Sequence, residues 1–197
     1  MKSKWLPAAL LALTFASTAH AQDDWPSRPI RIVVPFTAGS FTDTAARAVG
    51  NELSSQLGQP VVVENRGGAG STIGTDVVAK AQPDGYTFLL TDNSFPVSAA
   101  LYKSLPYQPF QDLVQVALVA EAPAVMVGRP NLPTKTLKAT MDWAHANPGK
   151  LTFGSGGQGS SAHLAMEQLL LDADVQAVHI PFKGVAASMV EIVAQRV

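Results

Sequence analysis

The sequence predicts an α/β fold with mainly parallel sheets, arranged as two lobes. Three observations carry that reading. Strand-like apolar runs alternate with helical patterns over short connections, the arrangement that lays helices on the faces of a parallel sheet. The order strand, small-residue loop, helix occurs near Phe36 and again near Gly154, with no shorter fixed period. Between them, the apolar stretch 114–129, interrupted by Pro123, reads as one strand running directly into another, as a crossing between two domains would.

Taken in order, "IRIVVPF" (residues 30–36) is a buried strand with Pro29 and Pro35 marking its ends. Ala45, Ala46, Val49, Leu53 and Leu57 recur at spacings of three and four, tracing a helix that Gly58 closes at its C′ position. "PVVVEN" is a second strand. After "RGGAGST", Ile73, Val77, Val78 and Ala81 mark another amphipathic helix, stopped by "QPDG". "YTFLLT" (residues 86–91) is a third strand, followed by "DNSF", a short helix over 97–103 and the Pro-rich connector "LPYQPFQD". Beyond the crossing, Thr136 N-caps a helix and the turn "NPGK" feeds the strand "LTFGS". "GSGGQGSS" leads into a helix over 161–171, "VQAVHIPF" is a further strand, and "KGVAASMVEIVAQRV" begins a further helix.

The first 21 residues read as a separate segment. Lys2 and Lys4 precede the apolar "WLPAALLALTFAST", and Ala19 and Ala21 in "AHA" stand at the spacing signal peptidase reads. The run contains Pro7 and is shorter than the roughly 20 residues a bilayer span needs, so the expectation is a cleaved secretory signal rather than an anchor. The remainder divides into a first lobe over 22–124 and a second over 125–197. A net charge of −1 without blocks of like charge gives no footing for nucleic acid or anionic lipid. The chain has no cysteine, so an exported form relies on its core, and 47% hydrophobic residues permit that. These features favour the periplasm.

Several chemistries fail on spacing. In "GGAGSTIG", Gly68-x-Gly70 is followed by glycine only at Gly74, one residue off a dinucleotide fingerprint, and "GSGGQGSS" lacks the Lys that ends a P-loop. No serine has glycine on both sides at the spacing of a nucleophile elbow. Ser160, His163 and Asp172 are imaginable as a hydrolase triad, but they crowd one loop and one helix. His163 and Glu167 share a helix face without the second histidine and third ligand that zinc wants. His179, in an apolar strand, reads as an interior hydrogen-bonded histidine, and Trp25 and Trp143 stand too far apart to form a stacking platform. No metal or cofactor is expected. What remains is anion binding by backbone N–H groups at helix N-termini, which needs no lysine or arginine. Ordinary strand–helix turns are the alternative to that reading.

"WPSRPIRIVVPFTAGSFTDTAAR", "LGQPVVVENRGGAGSTIGTDVVAKAQPDGYTFLL", "ANPGKLTFGSGGQGSSAHLAMEQLL" and "VHIPFKG" together resemble, in order, the tripartite tricarboxylate transporter receptors, the Bug or TctC-type solute-binding proteins. The resemblance implies a two-lobed, type II-like periplasmic binding protein that closes as a Venus flytrap around a small carboxylate. It also implies delivery to a TctA/TctB-type permease, with no cofactor. Relatives read P-F-x-x-G-G-x-x-D in the first ligand loop. Here Phe36, Gly39 and Asp43 match, Ser40 replaces the second glycine, and Phe41 and Thr42 follow. Phe41 is expected to narrow the cleft or meet an apolar part of the solute, whereas Asp43 reads either as a ligand to ammonium or water or as a helix cap. In the second loop Ser155, Gly156, Gly159, Ser160, Ser161 and His163 are implied to aim donors at a carboxylate. The "DNS" turn (Asp92 to Ser94, with Asn93 between) and residues Phe182 to Gly184, Lys183 among them, are implied to complete the walls. Family members are longer, and "EIVAQRV" falls inside what should be the second lobe. The expectation is uncovered apolar surface prone to aggregation, and a remnant without solute binding stands as one alternative.

Overall fold

The computed structural model describes residues 25–197, so the signal-peptide reading lies outside the described residues. The β-branched run Ile30–Val34 forms β1 and takes the centre of a three-stranded parallel sheet. Its neighbours are β2 (Val61–Asn65) on one side and β3 (Thr87–Leu89) on the other, with Ile32 opposite both Val63 and Phe88. Alternation sends Ile32, Val34 and Phe36 to one face, where α1 (Phe41–Leu57) covers them with Ala46. Val61, Val63, Phe88 and Leu90 complete that core. Burying aliphatic side chains of this size contributes about 1.5–3 kcal/mol each.

The fully buried Val33 faces the other way, and α2 (Thr72–Ala79) packs on β1 and β3. Right-handed crossovers from β1 to β2 and from β2 to β3 put the two helices on opposite faces. The approach of α2 depends on Gly74, where a Cβ would lie 2.8 Å from the Arg66 carbonyl oxygen and from Pro35 Cα. Gly58 ends α1 in the left-handed region (φ 66°) and donates its N–H to the Ser54 carbonyl at 3.1 Å. After β3, α3 (Ser94–Leu101) starts three residues earlier than the periodicity predicts, because the Asp92 carboxylate accepts the Ser94 N–H at 2.9 Å.

The second group of elements is α4 (Leu137–Ala146), β4 (Leu151–Ser155), α5 (Ser161–Asp172), β5 (Ala177–Pro181) and α6 (Val185–Val193). The strands β4 and β5 pair in parallel with Phe153 opposite His179. Ala144, Leu151, Phe153, Leu170 and Val175 form their core. Thr136 caps α4 as expected, its hydroxyl accepting the Ala139 N–H at 3.2 Å.

The strand-to-strand reading of residues 114–129 is corrected. The segment carries no strand and lies open, with Val114 88% and Val125 78% exposed. Apolar content creates a demand for burial, but a strand also needs a neighbour for its N–H and C=O groups. Among the described residues none runs beside it. Leu171 on α5 and Val193 on α6 are exposed as well.

Candidate functional site

The strand order β2-β1-β3 reverses direction between β1 and β3. In an open parallel sheet the crevice for a ligand lies at such a reversal, beyond the carboxyl ends of the strands. Two loops flank it from the first sheet, one following Val34 and one following Leu89. The second group of elements meets them from the opposite side. A Cβ on Gly184 would lie 2.2 Å from Thr37 Oγ1, and one on Gly70 the same distance from the Gln158 carbonyl oxygen. Glycine is required at both contacts, where backbone meets its neighbour closely.

The first loop is organised by Asp43. Its buried carboxylate accepts the Gly39 N–H at 2.9 Å and Asn65 Nδ2 at 3.0 Å, and pairs with Arg47 at 2.9 Å. Burial opposes its ionisation, but the hydrogen bonds from Arg47, Gly39 and Asn65, with the Arg47 charge, hold its pKa below the usual carboxylate value. The contacts of Asp43 go to the loop (Gly39), to β2 (Asn65) and to α1 (Arg47), which favours its structural reading. Ser40 is the N-cap of α1 and accepts the Asp43 N–H through Oγ at 3.1 Å. Gly39 reaches its position at φ 81°. The Phe36 ring packs in the core, Thr42 is buried, and the Phe41 ring is 56% exposed. With Asp43 capped, the N–H groups of Phe41 and Thr42 have no acceptor among the described residues.

The second loop is more fully self-satisfied. Ser160 caps α5 by accepting the His163 N–H at 3.3 Å. Gly159 (φ 78°) donates its N–H to His163 Nδ1 at 3.1 Å, which places the ring proton on Nε2, 3.4 Å from Glu167. Ser161 gives its N–H to Ser94 Oγ at 3.3 Å and its hydroxyl to Asp92 at 3.2 Å. One donor expected for a carboxylate is therefore engaged across the seam, leaving Ala162 as the open N–H of that turn. Behind the loop, Ser155 Oγ lies 2.6 Å from His179 Nε2 and accepts the Gly157 N–H at 3.1 Å. The His163 and His179 rings stack with centroids 3.9 Å apart, and Phe153 continues the stack at 4.8 Å. Burial lowers the His179 pKa, the neighbouring His163 lowers it further, and Glu167 pulls the other way. Gly156 lies against the start of α6, where a Cβ would meet the Val185 nitrogen at 3.3 Å. Asn93 and Lys183 sit exposed at the rim.

Sequence reasoning missed two hydroxyls: Thr37 Oγ1 and Ser71 Oγ are buried without a hydrogen-bond partner. Ser71 and Ala69 hold positive φ (82° and 46°), a conformation rare for residues with side chains.

The triad of Ser160, His163 and Asp172 is not assembled. Neither His163 ring nitrogen hydrogen-bonds Ser160. Asp172 lies at the far end of the 12-residue α5, about 18 Å from Ser160 by helical rise, and accepts from Gln168. Among the described residues no three His, Cys, Asp or Glu side chains converge as a metal site, and no helix is long and apolar enough to cross a membrane.

Comparison with known proteins places relatives around this geometry. The model of the tripartite tricarboxylate transporter family receptor matches residues 45–197. A UPF0065 protein of Bordetella pertussis is 42% identical over 191 residues, covering 96% of this chain and 58% of the relative. The protein BugT of the same organism is 42% identical over 172 residues, covering 86% of this chain and 53% of the relative. Among solved structures, the periplasmic binding protein BugD superposes with a TM-score of 0.83 at 38% identity, covering 88% of this chain and 58% of that one. A Rhodopseudomonas palustris protein solved with adipate gives 0.84 at 32% identity, with the same two coverages of 88% and 58%. MatC of Rhodopseudomonas palustris with bound malate gives 0.80 at 31%, covering 88% of this chain and 59% of that one. The chain thus spans somewhat over half the length of the relatives it matches, and its fold is that of the periplasmic binding proteins.

Proposed function

The chain belongs to the tripartite tricarboxylate transporter receptor family, and from that premise we propose that it captures a small carboxylated organic anion between two lobes. The proposed lobes are residues 22–124 and 125–197. Capture takes place in the periplasm, after removal of a signal peptide, and the solute passes to a TctA/TctB-type membrane permease. The matched family is one of receptors, not of enzymes.

One observation carries the reading. The N–H groups of Phe41 and Thr42 stand open at the N-terminus of the 17-residue α1, beside the reversal of strand order. The positive end of the helix and its unpaired donors suit a carboxylate without a cationic side chain. Adipate and malate in two of the structural neighbours are carboxylates of the expected size. Each charge-assisted hydrogen bond contributes about 1.5–3 kcal/mol. Two from α1 and one from Ala162 sum to about 4.5–9 kcal/mol before association costs, so apolar burial of the rest of the solute supplies the remainder of a micromolar affinity, about −8 kcal/mol. In this reading Gly39, Ser40 and Asp43 shape the donors on one side. Ser155, Gly156, Gly159, Ser160 and His163 shape those on the other, and Phe41 and Gly184 bound the crevice.

The test is a thermal-shift survey of the chain with mono-, di- and tricarboxylates and amino acids. Saturable stabilisation by at least one carboxylate is expected. A survey in which every compound leaves the transition unmoved refutes the proposal.

A further inference from the structure

Asp92 is a carboxylate at the mouth of the crevice with no cation to answer it. It follows β3 and therefore stands beside the loop following β1, across the reversal of strand order. Its two oxygens face two different units. Oδ1 accepts the Ser94 N–H at 2.9 Å, and Oδ2 accepts the Ser161 hydroxyl of α5 at 3.2 Å. Among the described residues, no lysine, arginine or histidine pairs with it. An ionised carboxylate offers about four acceptor positions, so these two bonds leave about half of them open. Asp43, the other carboxylate of the site, is saturated by Gly39, Asn65 and Arg47 and has nothing left for a solute.

We propose that Asp92 is a specificity-determining residue that receives the ammonium group of a zwitterionic solute, so that the chain selects amino acids over carboxylic acids lacking the amine. This rests on the carboxylate-binding reading above and deepens it. The solute carboxylate lies on the open N–H groups of Phe41 and Thr42, away from Asp92, because two carboxylates side by side repel. The ammonium lies toward β3, where its three N–H donors fill the open positions on Asp92 while Ser94 and Ser161 hold that carboxylate in place. A second carboxylate at this end of a solute meets like charge, so a dicarboxylate without an amine is disfavoured.

Calorimetric titration of the chain with matched pairs tests this: alanine against propionate, glutamate against glutarate, phenylalanine against 3-phenylpropionate. The amino member of at least one pair should bind about tenfold or more tightly, the size expected for one charge-assisted contact. Asp92→Asn should bring that ratio within about threefold, the range left when the charge is removed and the shape kept. Equal binding within every pair, or an unchanged ratio in Asp92→Asn, overturns the role of Asp92 while leaving carboxylate capture standing. Binding by no member of any pair overturns the role of Asp92, and the carboxylate survey above decides the capture reading separately. Titrations in sodium and in choline buffer separate a bound metal cation from an ammonium: acid binding that needs sodium contradicts the proposal. If Asp92→Asn does not fold, the wild-type ratios and Asp92→Ser still decide the question.

Discussion

The Gly39 N–H donates to the Asp43 carboxylate at 2.9 Å, closing the first loop onto the helix it starts. One buried carboxylate therefore fixes the path of four residues and directs the following N–H groups outward. Asp43→Ala should lower stability by about 2–3 kcal/mol in urea melts, since it strands three donors. Arg47→Ala should cost under about 1 kcal/mol, because the Arg47 side chain is half exposed. Equal losses for the two would show that the ion pair, rather than the backbone bond, organises the loop. Because its folded pKa lies below the ordinary value of 3.8, this contribution is present above that pH. It fades as pH falls through the folded value.

The contact between Gly184 and Thr37 supplies a second test. Gly184 sits at φ 148°, where any side chain is strained, and a Cβ would strike Thr37 Oγ1. Gly184→Ala should cost about 1–3 kcal/mol in backbone strain, with further loss from the clash. The double variant with Thr37→Ala should recover part of that loss, as coupled neighbours do. Strict additivity would mean that these loops do not touch in solution.

The stacked histidines give a pH dependence. His179 has a folded pKa below its ordinary value of 6.5, so the unfolded chain takes up a proton that the folded site resists. Stability conferred by the neutral ring is full above about pH 6.5 and falls as pH drops from there to the folded pKa. Melting temperatures between pH 7.5 and 5 should show this slope, and His179→Gln should flatten it. Identical slopes in both proteins would count against the stack as the titrating element.

Much of the architecture was legible because local chemistry and tertiary packing agree. Gly58 and Thr136 sit where capping rules put them, and the alternation around Ile32 and Val34 matches the buried face. Residues 114–129 misled because apolar content cannot reveal whether a partner strand lies alongside. Within the site, the small-residue loops were readable, but the commitments of their donors were not. That Ser161 bonds Asp92 and Ser94 across 69 and 67 residues is a property of the packed chain. The two meanings of Asp43 likewise needed the positions of Asn65 and Arg47.

Exposed Val114, Val125, Leu171 and Val193 leave apolar surface open to water. The chain should bind the dye ANS while retaining cooperative unfolding, and Val114→Ser with Val125→Ser should weaken the dye signal. Each surface substitution should change stability by no more than about 0.5 kcal/mol. A large stability loss would instead place residues 114–129 in a packed environment.

The central claim is that backbone N–H groups at the start of α1 hold the solute carboxylate. Phe41→Pro deletes one of them without breaking the helix, because proline is favoured at the first helical position. The preceding Ser40, at φ −69° and ψ 161°, already has the extended conformation that proline demands of its neighbour. Calorimetry of carboxylate binding should show Phe41→Pro weakened about tenfold or more relative to Phe41→Ala, which keeps the donor. Equal affinities in the two variants would contradict the account.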